Sequence, residues 1–149
     1  MMMKAPMAAL GVGLSLSLGL ATAGNAWTQD ASPIGRWRTT AQNGVVEITP
    51  CGASLCGRLI DADPLRRDPE QRDIRNRDAA LRDRPLRGLP VMLGFSGGPQ
   101  VWRGGPLYDP NSGQGAIQGT LRLIDADTLS IQGCIAPLLC RTQTWRRLR

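Results

Sequence analysis

Histidine is absent from this sequence, and its absence removes more chemistry than any residue present supplies. Serine and cysteine nucleophiles that depend on an imidazole base are excluded, as are histidine-containing zinc centres. Acid–base catalysis would have to draw on Glu47, Asp61, Asp63, Asp73, Asp109, Asp125 and Asp127. Most of these sit beside turns or in charged stretches, and none stands alone in apolar surroundings that would raise its pKa. The sequence therefore predicts a protein that is not an enzyme and uses no cofactor.

Metal chemistry fares no better. Asp109-Pro110-Asn111-Ser112-Gly113 has the look of a half calcium loop, but Thr120 stands where the bidentate carboxylate belongs. The cysteines Cys51, Cys56, Cys134 and Cys140 lack the two-residue spacing of a zinc knuckle. In an exported chain an even number of cysteines reads as disulfides, and four allow three connectivities. The local pairing, Cys51 with Cys56 and Cys134 with Cys140, is expected because each pair brackets a short turn-like segment.

Binding residues are easier to find. In Trp102-Arg103-Gly104-Gly105-Pro106-Leu107-Tyr108, glycines beside aromatics would let backbone approach a ligand closely, which puts Trp102 and Tyr108 at a pocket mouth. A competing reading makes Gly104-Gly105 a bulge at a barrel corner. Near the C-terminus, Arg141, Gln143, Trp145 and Arg147 fall on one face of a strand, with Cys140, Thr142 and Thr144 on the other. If Trp145 faces inward, polar groups face inward with it, and part of the interior is not a dry core. Arg84 is a candidate clamp for an anionic head group.

The elements that must carry these residues begin after a leader. Lys4 precedes an uncharged run from Ala5 to Ala21, and the small-residue sites Ala21-Thr22-Ala23 and Gly24-Asn25-Ala26 follow. This is the pattern of a signal peptide over residues 1–26, cleaved after Ala26. The run is too short and too glycine-rich for a bilayer anchor, so the processed protein is expected in the periplasm or outside the cell, and not spanning a membrane. Residues 27–149 suit one domain. The formal net charge is +6, carried after Lys4 by arginine alone. That balance suits an anionic envelope surface or an acidic partner. Nucleic acid is not expected, because the basic stretch lacks interleaved aromatics.

From Gly35 onward, short apolar or alternating runs are separated by Gly, Pro, Asn and Asp, the pattern of an all-β domain. Strands are expected at 35–39, 45–49, 55–60, 89–95, 100–104, 116–124, 128–133 and 141–148. About eight short strands favour a single antiparallel barrel or sandwich. Asn43-Gly44 and Asp125-Ala126-Asp127 mark hairpins. Leu121, Leu123, Leu129 and Ile131 should face the core, with Thr128, Ser130 and Gln132 outward. Leu-Ile-Asp-Ala-Asp occurs at 59–63 and again at 123–127 and reads as reused turn chemistry. A long charged connection, 62–88, interrupts the β pattern and is expected to be functional or flexible. It holds one helical turn, with Asp78 as its N-cap.

Several motifs in one order carry a resemblance. Gly35-x-Trp37, a Val-Val-Glu-Ile strand into Cys51-Gly52 and Leu55-Cys56-Gly57-Arg58, Asp73-x-x-Asn76, Leu81-Arg82-x-Arg84-Pro85-Leu86-x-Gly88, Trp102-Arg103-Gly104-Gly105-x-x-Tyr108-Asp109-Pro110, and Gly133-Cys134 through Cys140-Arg141-Thr142-x-Thr144-Trp145 are similar to an exported bacterial family catalogued as domain of unknown function 2147. The resemblance implies a lipocalin-like β-barrel and brings no established activity. Gly35-x-Trp37 is also similar to the first-strand signature of lipocalins. Carried over, that signature implies that Trp37 closes one barrel end against Arg147 or Arg146. On this reading the protein is a binding module for a small, partly apolar or lipid-like molecule. Trp102, Tyr108, Arg141, Gln143 and Trp145 would line the site, and Arg84 would clamp the head. The rival is an envelope protein with a solid barrel, docking through its arginine-rich loop.

Overall fold

The computed structural model describes residues 31–149, so the leader expected over 1–26 lies outside the described residues. Ten strands form: β1 (Gly35–Arg38), β2 (Val45–Cys51), β3 (Ser54–Asp61), β4 (Leu89–Gly97), β5 (Val101–Gly104), β6 (Leu107–Asp109), β7 (Gln114–Ala116), β8 (Gln118–Asp125), β9 (Thr128–Ala136) and β10 (Leu139–Leu148). Eight of them close into an antiparallel barrel in the order β3-β2-β1-β10-β9-β8-β5-β4, and β4 returns to β3. Closure leaves those strands no open edge. Among the described residues no helix is long and apolar enough to cross a membrane.

The eight expected strands are these eight. The β6–β7 hairpin was not expected. It continues β5 and β8 beyond Gly105 and Ile117 and leans on β4 through Met92 and Leu107. The kink that frees it explains the glycine pair. A Cβ on Gly104 would lie 2.2 Å from the Gly94 carbonyl oxygen, and one on Gly105 would lie 2.2 Å from that of Ile117. Gly104-Gly105 is therefore a corner where backbones meet.

Two turn details differ from expectation. In the β1–β2 hairpin the left-handed residues are Gln42 and Asn43, one position earlier than Asn43-Gly44, because the turn is closed by Gly44 N–H donating to the Ala41 carbonyl. Thr128 is buried. A register shift between Leu123 and Asp125 alters the parity of this hairpin, and Thr128 Oγ1 accepts a 2.6 Å hydrogen bond from Arg146. Leu121, Leu123, Leu129 and Ile131 do face the core.

One end of the barrel is shut. Trp37, Ile48, Phe95, Trp102, Leu121 and Leu129 pack there with other apolar side chains. The Trp37 indole N–H donates to the Pro33 carbonyl at 2.8 Å, and the Arg147 guanidinium lies 4.2 Å from the centre of the indole system. Arg147 also donates to the carbonyls of Ser32, Ile34 and Ala126. One arginine thus ties the chain before β1 and the β8–β9 turn across the indole. The disulfides are local, Cys51–Cys56 at the β2–β3 turn and Cys134–Cys140 near the tip of β9–β10, and all four cysteines are used.

Candidate functional site

Opposite the Trp37 plug the barrel encloses a cavity of about 510 Å³. Its wall follows from strand parity. Val46 on β2, Leu59 on β3, Val91 on β4 and Ile131 on β9 point inward beside Trp145, and Gln143 and Arg141 continue the inward face of β10 toward the rim. The expected mixed face therefore exists, apolar below and polar above. The Trp145 indole N–H donates to Gln143 Oε1 at 3.1 Å, which orients the ring and occupies the amide oxygen.

The rim is built from four connections. They are the β1–β2 turn (Thr39, Gln42), the β3–β4 connection (Pro64, Leu65, Leu86), the β6–β7 turn (Asp109 to Ser112) and the β9–β10 tip (Ile135, Leu139). Helix α1 (Asp63–Arg67) supplies the fully buried Leu65. The first Leu-Ile-Asp-Ala-Asp copy ends β3 and leads through Ala62 into this helix at Asp63, whereas the second ends β8 and enters the β8–β9 turn. Asp109 caps the β6–β7 turn, accepting from Asn111 N–H at 3.0 Å and Ser112 Oγ at 2.8 Å. The half calcium loop is a turn, and no cluster of metal-ligating side chains occurs among the described residues.

The long connection is folded around a single buried carboxylate. Asp73 is 1% exposed. Its Oδ1 accepts from Tyr108 Oη at 2.5 Å, and its Oδ2 accepts from Asn76 Nδ2 at 2.8 Å and Arg84 Nε at 2.9 Å. Arg84 Nη2 adds a 2.8 Å ion pair, and its guanidinium sits 5.2 Å from the Tyr108 ring centre. Burial, followed by the hydrogen bond to Asp73, pushes the Tyr108 hydroxyl up to about 12. The hairpin tip is fitted closely to this loop, since a Cβ on Gly113 would lie 1.8 Å from the Arg75 carbonyl oxygen. Asp73 therefore joins residues 71–86 to the β6–β7 hairpin and shapes one side of the mouth.

The sequence-predicted residues separate accordingly. Tyr108, Arg141, Gln143 and Trp145 line one cavity. Trp102 does not, because β5 starts at the shut end, where Trp102 pairs with Leu121 and its indole lies under Gly98. Arg84 does not reach the cavity either, since its guanidinium is committed to Asp73. Other arginines of the connection also bond back onto the protein: Arg66 to Asp61 and Asp63, Arg72 to the Asp83 carbonyl, Arg82 to the Asn76 carbonyl and Arg87 to the Ile60 carbonyl. The helical turn at 79–81 is capped by Asp78 as expected. The carboxylate of Asp73, one among many charges in the sequence, is the organising residue that composition concealed. Its only signal was the Asp73-x-x-Asn76 spacing.

Comparisons agree with this architecture. Residues 35–147 match the family described as "Uncharacterized protein conserved in bacteria (DUF2147)". No curated protein matches the sequence. The fold is similar to a solved structure of protein HP1028 from Helicobacter pylori, described as belonging to the lipocalin family. The two share 18% identity over 78% of this chain and 82% of that chain, with a TM-score of 0.67. At that identity the likeness is one of fold.

Proposed function

The chain belongs to the DUF2147 family, and we propose that its barrel is a periplasmic binding module for a small, partly apolar molecule. The observation that carries this reading is the cavity above a packed plug, about 510 Å³ in volume and within the range of small-molecule sites. Val46, Leu59, Val91, Ile131, Trp145 and the Tyr108 ring would hold the apolar body, since the Tyr108 hydroxyl is engaged by Asp73 and Asn76, and the Gln143 amide nitrogen would contact its polar part. Arg141, the one cation lining the cavity among the described residues, would face an anionic or polar head at the rim. The module acts by binding alone: Asp73 already accepts from Tyr108, Asn76 and Arg84, which makes it a poor general base. The leader and the two disulfides support export into an oxidising compartment.

Docking through the arginine-rich loop has less support, because most of its guanidinium groups are spent on carbonyls and carboxylates of the loop and the barrel. Native mass spectrometry of the protein recovered from the periplasm of its own cells tests the binding reading. A reproducible bound molecule of a few hundred daltons is expected. Repeated recovery of the bare chain, with no uptake of an added amphiphile, would overturn it.

A further inference from the structure

The tip of the β9–β10 hairpin, Ile135-Ala136-Pro137-Leu138-Leu139, has no polar side chain. It is nonetheless turned to solvent: Ile135 and Leu139 are 51% and 58% exposed, and Leu138 is exposed completely. Leu138 also has a φ of 67°, in the left-handed region where glycine or asparagine is the ordinary residue and a branched apolar side chain is disfavoured. A leucine there carries two costs, an uncovered apolar surface and an unfavourable backbone. No contact within the fold offsets either. The side chain is suited to something outside the molecule.

Three further features indicate what that is. The Cys134–Cys140 disulfide closes the hairpin directly behind the tip, so the apolar side chains are presented on a stapled support. Ile135 and Leu139 also line the cavity rim, so the apolar surface of the tip continues into that of the cavity. Between Thr128 and Thr144 the only charged residue is Arg141, and no acid occurs from there to the C-terminus. A small apolar point with a single cation behind it buries far less area than a stable protein–protein interface needs. A bilayer surface requires no such area, because apolar side chains entering the acyl boundary and a cation at the phosphates suffice for reversible attachment.

We propose that this tip docks the barrel, mouth first, on an anionic lipid bilayer, with Leu138 and Leu139 in the acyl boundary and Arg141 among the lipid phosphates. Attachment is reversible, since one short tip and one arginine fall short of stable anchoring. The docking surface shares Ile135, Leu139 and Arg141 with the cavity rim, and Leu138, outside the lining, is the residue that separates docking from the binding function.

The test uses protein expressed with its own leader and recovered from the soluble fraction, with identical N-termini verified by mass spectrometry. Partitioning is measured on vesicles of phosphatidylethanolamine with phosphatidylglycerol and on vesicles of phosphatidylcholine alone. The informative variant is Leu138→Asn, because asparagine accepts the left-handed backbone and the hairpin keeps its shape. Wild-type protein is expected to partition onto the anionic vesicles, and Leu138→Asn to lose about tenfold, the factor that follows from withdrawing one leucine from apolar surroundings. Arg141→Gln is expected to lower the preference for anionic over neutral vesicles about fivefold. The proposal is overturned if wild-type protein ignores both vesicles, if it binds both equally, or if Leu138→Asn partitions unchanged. It is equally overturned if the wild-type protein forms a dimer that Leu138→Asn abolishes, which would assign the tip to a second copy. Uptake of anilinonaphthalene sulfonate by Leu138→Asn, whose altered side chain is outside the cavity lining, reports separately on the binding function.

Discussion

Replacing Asp73 by asparagine keeps the shape of the side chain and removes its charge, and the consequence can be worked bond by bond. The Tyr108 hydroxyl can still donate to the remaining amide oxygen. On the other branch an NH2 group would face three donors, Asn76 Nδ2, Arg84 Nε and Arg84 Nη2, which now lie 2.8 to 2.9 Å from a carboxylate oxygen. Losing a neutral acceptor for Asn76 costs about 1 kcal/mol. Stranding one member of a fully buried ion pair costs about 3 to 5 kcal/mol. The Arg84 side chain is 32% exposed, so water takes up part of its charge and about 2 kcal/mol is the appropriate share. The sum is about 3 kcal/mol, or roughly 10 °C in Tm for a domain of this size. Urea unfolding measures the total, and amide exchange locates it in residues 71–86 and in the β6–β7 hairpin. A loss under about 0.5 kcal/mol, or exchange that quickens evenly over the whole barrel, would refute the role given to Asp73.

Further outcomes follow from the same contacts. Tyr108 is the single tyrosine, so absorbance at the phenolate band reads its ionisation directly and should show a midpoint near 12 in the folded protein. Because its folded pKa is raised above the unfolded value near 10, its contribution to stability is complete below pH 10 and is lost as pH climbs toward 12; a midpoint near 10 with the fold intact would contradict this. Arg147→Gln removes the cation over Trp37 and weakens three carbonyl contacts, with an expected loss of about 2 kcal/mol in chemical denaturation; a neutral result would remove Arg147 from the closure of the plug. Cys134→Ser with Cys140→Ser opens a loop of sequence separation 6 and should cost about 2 kcal/mol by chain entropy, while amide protection persists in the lower half of β9 and β10. Loss of that protection as well would mean that the bridge holds more than its hairpin.

The barrel strands were legible because each is bounded by turn chemistry and alternates in polarity, which locates a strand and tells its two faces apart. Height along the barrel axis has no such signature. Trp102, expected at a pocket mouth, is buried, but its strand starts at the shut end, and the pairing of Val101 with Arg122 and Trp102 with Leu121 reveals this. The β6–β7 hairpin escaped notice because three-residue strands bounded by Pro106, Pro110 and Gly113 carry too little periodicity. Helix α1 begins at the last residue of a pentapeptide whose other copy enters a hairpin turn, and Pro64-Leu65 after the first copy, against Thr128 after the second, is the local difference. The buried role of Asp73 depends on Tyr108, 35 positions away, and a stretch dense in Arg and Asp offers no sign of which carboxylate will be desolvated. By contrast, the face shared by Arg141, Gln143 and Trp145 was readable from parity alone.

The most direct measurement of the central claim is a titration of the protein with anilinonaphthalene sulfonate, an apolar ring system with one anionic group, read by energy transfer from tryptophan. One saturable site is expected, strongly weakened by Val91→Trp, which fills the cavity from β4 while leaving the Trp37 plug untouched. Absence of a saturable site, or a Val91→Trp variant that takes up the probe as readily as the parent, would contradict a binding role for the barrel.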